Sequence, residues 1–255
     1  SDLVPEGIIL VTGPTGSGKT TTLYSLLKEL NRESKNIITV EDPVEYRLEG
    51  INQVQVNTKA GLAFANGLRS ILRQDPDIIM VGEIRDSETA EIAVRAAITG
   101  HIVLSTIHTN DTVSTISRLE DMGIENYLVS SSTVGIIAQR LVKKICLKCK
   151  TTFKATAEEL KLLGLSLETE LIISKGTGCN SCNHTGYSGR TAIHEVLVVD
   201  RDVRNLISTG KSVDEIKQKA IQKGLVTLNE TCRELVKSGI TTIDEMNRMT
   251  FSFDE

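Results

Sequence analysis

The most chemically specific stretch of this 255-residue chain begins at Gly13 and reads GPTGSGKTTTLYSLL. Gly13, Gly18, Lys19 and Thr20 stand at the spacing G-x-x-x-x-G-K-[ST] of a phosphate-binding loop. Glycines let backbone N–H groups turn inward around oxygen atoms without side-chain clashes. A helix starting near Lys19 aims its positive end at the same point. The residues expected around the phosphates are Gly13, Pro14, Thr15, Gly16, Ser17, Gly18, Lys19, Thr20 and Thr21. Lys19 is expected to reach the β- and γ-phosphates, and the Thr20 hydroxyl to ligate Mg²⁺. The alternative is a chance glycine-rich turn. The apolar run GIILVT before the loop and the apolar-periodic segment after it supply the strand and helix that the phosphate reading requires.

Such a loop needs an acid at the end of a partner strand. DIIMVGEIRD offers one as Gly82-Glu83, without the Asp that usually ends that strand. Glu83 is therefore expected to hold the Mg²⁺ shell or polarise water alone. Asp77, at the other end of the same run, reads as a turn or cap residue. Glu41 and Asp42 directly follow NIITV, and Pro43 fixes the turn after them. Catalytic groups in open α/β sheets collect at the carboxyl ends of strands, so Glu41 is a candidate to orient an attacking water. Glu45 reads as readily as a solvated loop acid. His108 closes HIVLSTIHT on the same edge and is a candidate donor to the γ-phosphate; a structural histidine is the competing reading. His101, where that run starts, reads as structural.

Four of the five cysteines form two pairs, Cys146-x-x-Cys149 and Cys179-x-x-Cys182. Four thiolates suit Zn²⁺ in a closed, structural site; four unrelated reduced thiols are the alternative. His184 is a possible substitute ligand. Cys232, within LNETCRELV, reads as a small core or boundary residue.

The elements that must position these groups follow from periodicity. GIILVT, NIITV, DIIMVGE and HIVLSTIHT read as short buried strands. A helix is expected from about Lys19 to Leu30. GLAFANGLRSILRQ is expected to be helical, with Leu62, Leu68, Ile71 and Leu72 as its apolar positions. SETAEIAVRAAIT is expected to be a helix capped by Ser87 and stopped at Gly100. Alternating strands and helices predict an α/β fold with a mostly parallel sheet covered on both faces. After Arg140 the texture changes: KKICLKCK is basic, TAEELKLLG helical, and GTGCNSCNHTGYSGR turn-rich. The expected division is a nucleotide-binding core over 1–144, a tetracysteine module over 145–190 and a mainly helical region over 191–255.

With 40% hydrophobic and 24% charged residues the composition is that of a globular protein. The net charge of −4 gives nucleic acid no global attraction. No apolar run approaches the length of a membrane span. The chain starts SDLVPEGIIL, almost directly on a strand and without Met, as expected of a piece cut from a longer protein.

Four blocks, GPTGSGKTTTLY, ITVEDPVEYRLEGINQVQVN, LRSILRQDPDIIMVGEIRDSETAEIAVRAAITGH and LSTIHTNDTVSTISRLEDMGI, together with the tetracysteine segment and GYSGRTAIHEVL, resemble the secretion ATPase superfamily. The match is to the ATPases of type II secretion and type IV pilus assembly, and the four blocks resemble that family's Walker A, Asp box, Walker B and His box. Gly82-Glu83 matches its atypical Walker B. The cysteines favour assembly and export motors over pilus retraction motors. The resemblance implies a RecA-like phosphate-loop core that hydrolyses ATP with Mg²⁺, and a zinc module. Glu83 would act at the metal and water, Glu41 would assist, and His108 would contact the phosphate end. It further implies a homohexamer at the inner face of the cytoplasmic membrane that drives a membrane platform protein feeding pilin or pseudopilin subunits. The family's N-terminal domain is not in this chain, so the chain alone is expected to associate weakly and turn over slowly. A DNA-translocating RecA-like ATPase and a non-enzymatic zinc-ribbon binding module are the competing classes. The acidic balance and scarce aromatics speak against the first, and the complete loop against the second.

Overall fold

The computed structural model describes residues 6–251. They fall into two compact units, each built from two stretches of chain: residues through Ala138 with Val196–Leu225, and Gln139–Glu195 with the segment from Val226.

The first unit is organised by a sheet whose strands are β1 (Gly7–Thr12), β2 (Ile37–Glu41), β3 (Asn52–Gln55), β4 (Ile78–Val81), β5 (Ile102–Ile107), β6 (Thr133–Ile145) and β9 (Tyr187–Val198), in the order β3-β2-β4-β5-β1-β6-β9. Every pair from β3 across to β6 is parallel. Parallel strands put their carboxyl ends on one edge, and the register aligns Thr12 with Ile107, and Val81 with both Val40 and Ser105. The four expected strands thus end side by side. β6 and β9 are not among the four strands expected from the sequence; only the end of β6 lies in the basic segment and only the start of β9 in the turn-rich one.

Both faces of the sheet are covered, as alternation along buried strands demands. On one face Val11, Ile78, Met80 and Leu104 pack with Leu23, Tyr24 and Leu27 of α1 (Lys19–Leu30). On the other, Leu10, Val40, Ile79, Val81 and Val103 meet α2 (Phe64–Ile71), α3 (Ser87–Ile98) and α4 (Thr112–Asp121). Four buried alanines of α3 (Ala90, Ala93, Ala96 and Ala97) suit a helix that lies close to the strands. α5 (Asn126–Ser132), α7 (Arg201–Ser208) and α8 (Val213–Gln222) complete this unit.

The second unit holds the antiparallel pair β7 (Lys150–Lys154) and β8 (Ile172–Gly176), with α6 (Ala157–Leu162), α9 (Leu228–Lys237) and α10 (Ile243–Phe251). The region expected to be helical from 191 therefore starts as strand through Val198 and then forms four helices shared between the units.

Two expectations need correction. Asp86, not Ser87, caps α3: its backbone is extended and its carboxylate accepts the Thr89 amide at 2.8 Å, leaving Ser87 as the first helical residue. The segment 61–74 is not one helix. Leu62 bridges Asn57 in extended pairing, α2 starts at Phe64, and residues 72–74 tighten into a 3₁₀ turn.

Candidate functional site

The loop between β1 and α1 takes the conformation its glycines permit. Gly13, Gly16 and Gly18 have φ of 148°, 77° and 87°, in the region that side chains avoid. Gly18 is the cap of α1 and carries no side chain to occupy the helix's first amides, which stay oriented toward the loop. Lys19 is only 9% exposed, and its ammonium donates to the Gly13 carbonyl at 2.7 Å and to the Pro14 carbonyl at 3.0 Å. The cation is thus held across the loop it is expected to serve. Thr12, at the end of β1, is tied to the segment after β5: the hydroxyls of Thr12 and Thr109 lie 2.7 Å apart, and the Thr109 amide donates to Thr12 Oγ1 at 2.8 Å.

Glu83 and His108 come together on this edge. His108 Nε2 lies 3.7 Å from Glu83 Oε2, and the Glu83 side chain is 13% exposed. Arg85 Nε sits 2.5 Å from the same oxygen. This hydrogen bond first, and the charge of Glu83 with it, raise the Arg85 pKa above its ordinary value. Arg47, Arg69, Arg73 and Arg85 all follow the loop in sequence, which gives no means of choosing among them; the structure brings Arg85 to Glu83, and pairs Arg69 with Glu88 elsewhere. Gly82 also receives a reason. A Cβ there would stand 3.3 Å from both the Phe64 ring and the Val40 carbonyl oxygen and 3.4 Å from Glu41 Cα, so a side chain at this position would press on β2 and require its neighbours to give by a few tenths of an ångström.

Glu41 is placed differently from the expectation. It is 2% exposed, and both carboxylate oxygens are engaged. Oε2 accepts the Tyr24 hydroxyl; Oε1 accepts Thr39 Oγ1 at 2.5 Å and Gln53 Nε2 at 3.2 Å. A carboxylate so enclosed has both oxygens committed to protein donors. Burial, and then the hydrogen bond to Glu41, push the Tyr24 pKa up, so the phenol keeps its proton and donates. Tyr24 was not anticipated; it reads in sequence as one more core position of α1. Glu45 is exposed on the loop after β2. Asp77 serves as a turn residue, accepting the Asn36 amide at 2.8 Å and Lys35 at 3.0 Å. His101 Nδ1 meets the Ala96 carbonyl at 2.9 Å at the end of α3.

In the second unit the Sγ atoms of Cys146, Cys149, Cys179 and Cys182 all lie within 4.8 Å of one another. The 146–179, 149–182 and 179–182 separations are 3.9, 3.8 and 3.8 Å. Four sulfurs bound tetrahedrally at ~2.3 Å stand about 3.8 Å apart, so the donor set fits Zn²⁺. Burial opposes ionisation of Cys182, but the amides of Cys179 and Gly186 donate to its sulfur at 3.2 and 3.3 Å and lower its pKa to about 6. The chain closes tightly around the second knuckle: a Cβ at Gly176 would fall 2.0 Å from the Gly186 carbonyl oxygen. Cys232 is fully buried, and burial raises its pKa to about 11, as suits a core thiol. His184 is not among the clustered ligands found in the described residues.

Sheet order, loop and strand-end acids define the class: an α/β phosphate-loop protein with an appended tetracysteine module. The family model described as "Type II/IV secretion system protein" matches residues 3–248, and the chain belongs to that family. It is 51% identical over 246 residues to the type II secretion system ATPase E of Vibrio cholerae, covering 96% of this chain and 49% of the relative. It is 54% identical over 245 residues to the type IV pilus assembly ATPase PilB of Thermus thermophilus, covering 95% and 27%. The chain thus spans about half or less of these relatives' lengths. Among solved structures, the pilus retraction motor PilT with bound ADP superposes with a TM-score of 0.72 at 34% identity, covering 96% of this chain and 61% of that one. No helix among the described residues is long and apolar enough to cross a membrane.

Proposed function

We propose that this chain is the ATP-hydrolysing core of a motor that powers type IV pilus assembly or type II secretion. The observation that carries the proposal is the pairing of a complete phosphate loop, its lysine already held at the loop mouth, with Glu83 and His108 on the same strand-end edge. Backbone amides between Thr15 and Thr21 bind the phosphates, and Lys19 exchanges its carbonyl acceptors for phosphate oxygens. Thr20 and Glu83 would hold Mg²⁺, which neutralises charge developing on the phosphates. Glu83 also polarises the attacking water, and His108 contacts the phosphate end. Arg85 must yield Glu83 when the metal binds, or turn its guanidinium toward the phosphates. Glu41 serves from behind as a buried anchor. Cys146, Cys149, Cys179 and Cys182 would hold Zn²⁺ as a structural clamp. Working divisions at 1–144, 145–190 and 191–255 remain part of this proposal. So do a homohexamer in the longer protein, a platform protein in the cytoplasmic membrane as partner, and a peripheral position at that membrane's inner face.

The test is ATP turnover by the chain with Mg²⁺, with and without added DNA. Turnover indifferent to DNA and abolished by Lys19→Ala supports the motor core. DNA-stimulated turnover moves the protein to the DNA-translocating class, and failure to bind ATP leaves only a zinc-ribbon binding module.

A further inference from the structure

The buried polar network around Tyr24 is larger than a folding role requires. Its centre is one phenol, fully buried, in the second turn of the helix that begins at Lys19. That hydroxyl donates to Glu41 Oε2 and accepts the Glu45 amide at 3.2 Å and Gln53 Nε2 at 3.3 Å. Gln53 also donates to the Tyr46 carbonyl at 3.1 Å and accepts the Leu48 amide at 2.7 Å, and Gln55 accepts the Val44 amide at 3.3 Å. The Tyr46 ring meets the Tyr24 ring edge-on at 4.8 Å, and Leu48 is buried beside Leu23 and Leu27. The loop between β2 and β3 is therefore stitched backbone by backbone to this one network, while its acids, Asp42 and Glu45, stay exposed.

We infer that Tyr24 and Gln53 are positioning residues: through Glu41 they lock the acid-bearing loop 42–51 to the helix of the phosphate loop, so that Asp42 and Glu45 hold a fixed place relative to bound nucleotide. The physical warrant is geometric. Reacting groups lose rate steeply when displaced by about 1 Å, commonly by up to 10²-fold, whereas ground-state phosphate affinity comes from the loop amides and Lys19, which the network does not touch. A buried network with every partner engaged is also rigid, because each unpaired member would be costly. Removing the hydroxyl takes away the Tyr24 partner of Glu41 Oε2, of the Glu45 amide and of Gln53 Nε2 together.

This inference rests on the proposed ATPase reading, and the experiment separates the two. ATP affinity and steady-state turnover are measured on the full chain and on Tyr24→Phe, Gln53→Leu and Leu27→Ala. The last variant opens a cavity in the same helix, beside Leu48, without removing any hydrogen bond of the network, and controls for loss of stability and packing. Assays run well below the melting temperature of each variant. The expected result is a fall in kcat of roughly tenfold or more for Tyr24→Phe and Gln53→Leu, with ATP affinity within about twofold of wild type and kcat preserved in Leu27→Ala. Adding Glu41→Gln to Tyr24→Phe should lower kcat little further, since both act through one bond. Wild-type kcat in folded Tyr24→Phe overturns the inference while leaving the ATPase reading intact. So does an equal loss in Leu27→Ala. Absence of turnover in the wild-type chain instead defeats the underlying reading.

Discussion

At the phosphate loop, the groups that face charge are brought together from the ends of four parallel strands, and each is useless without the sheet that aligns them. In the tetracysteine module the ligands come from two short knuckles, and the fold around them is only a hairpin and a few turns. The first site is organised by a large apolar core, and its Lys19 ammonium is held by the Gly13 and Pro14 carbonyls. The second unit buries Leu160, Ile173, Leu228, Cys232 and Val236 in a core of its own, and zinc on the four thiolates is proposed to join its two knuckles. The first site is thus aligned by a sheet, and the second by two knuckles that a metal would join.

The sharpest test of that contrast is zinc removal. Structural zinc contributes on the order of 10 kcal/mol to small metal-dependent modules. Cys149→Ser, or chelation, should therefore unfold the second unit while ATP affinity changes by less than about twofold. Metal analysis, circular dichroism and nucleotide binding on one sample decide it. A protein that purifies without zinc yet stays folded through Cys179–Gly186 removes the distinction.

Next in size is Lys19→Ala. Losing a charged partner of the phosphates costs roughly 2–5 kcal/mol, so ATP affinity should fall at least about thirtyfold with zinc content and melting behaviour unchanged. Unaltered affinity would place the nucleotide elsewhere.

Smaller again is Asp111, which shows how the scaffold side of the comparison depends on pH. Burial opposes its ionisation, but the Ser114 hydroxyl and amide and Lys217 outweigh burial and hold its pKa below the ordinary value. A carboxylate with a depressed folded pKa stabilises above its unfolded pKa, near 4, and that contribution is lost as pH falls through the folded value. Asp111→Asn should lower stability by about 1–2 kcal/mol at pH 7 and flatten the acid limb of the pH–stability curve. An unchanged acid limb would assign that limb to other carboxylates. The smallest effect belongs to the exposed Arg95–Glu91 pair at 2.8 Å; Arg95→Ala should change stability by no more than about 0.5 kcal/mol, screened further by salt.

The two sites also differed in how readily sequence betrayed them. The phosphate loop and the paired cysteines were legible because their chemistry demands short, fixed spacings. Glu83 and His108 were legible because strand ends collect on one edge. Arg85 was not, since many arginines follow the loop and only tertiary structure brings this one to Glu83. Tyr24 hid because a buried tyrosine in a helix has the same periodicity as a leucine. Glu41 was found as a residue but not in its setting: sequence showed an acid ending a strand, and could not show that three donors already surround it. The long strands β6 and β9 were masked by lysines, glycines and turn residues, whose exposure is set by how the second unit wraps its own core. Nor does sequence order show that Val196–Leu225 returns to the first unit.

The central claim is that Glu83 performs chemistry on a nucleotide that the loop binds without it. Glu83→Gln tests it most directly, with ATP affinity and single-turnover hydrolysis measured on the same preparation in Mg²⁺. The expected result is affinity within a few-fold of wild type and hydrolysis slowed by about 10² or more, because the lost charge matters most to metal and water in the transition state. Hydrolysis within about twofold of wild type, at unchanged affinity, would contradict the account and shift the chemistry to the acids of the loop after β2.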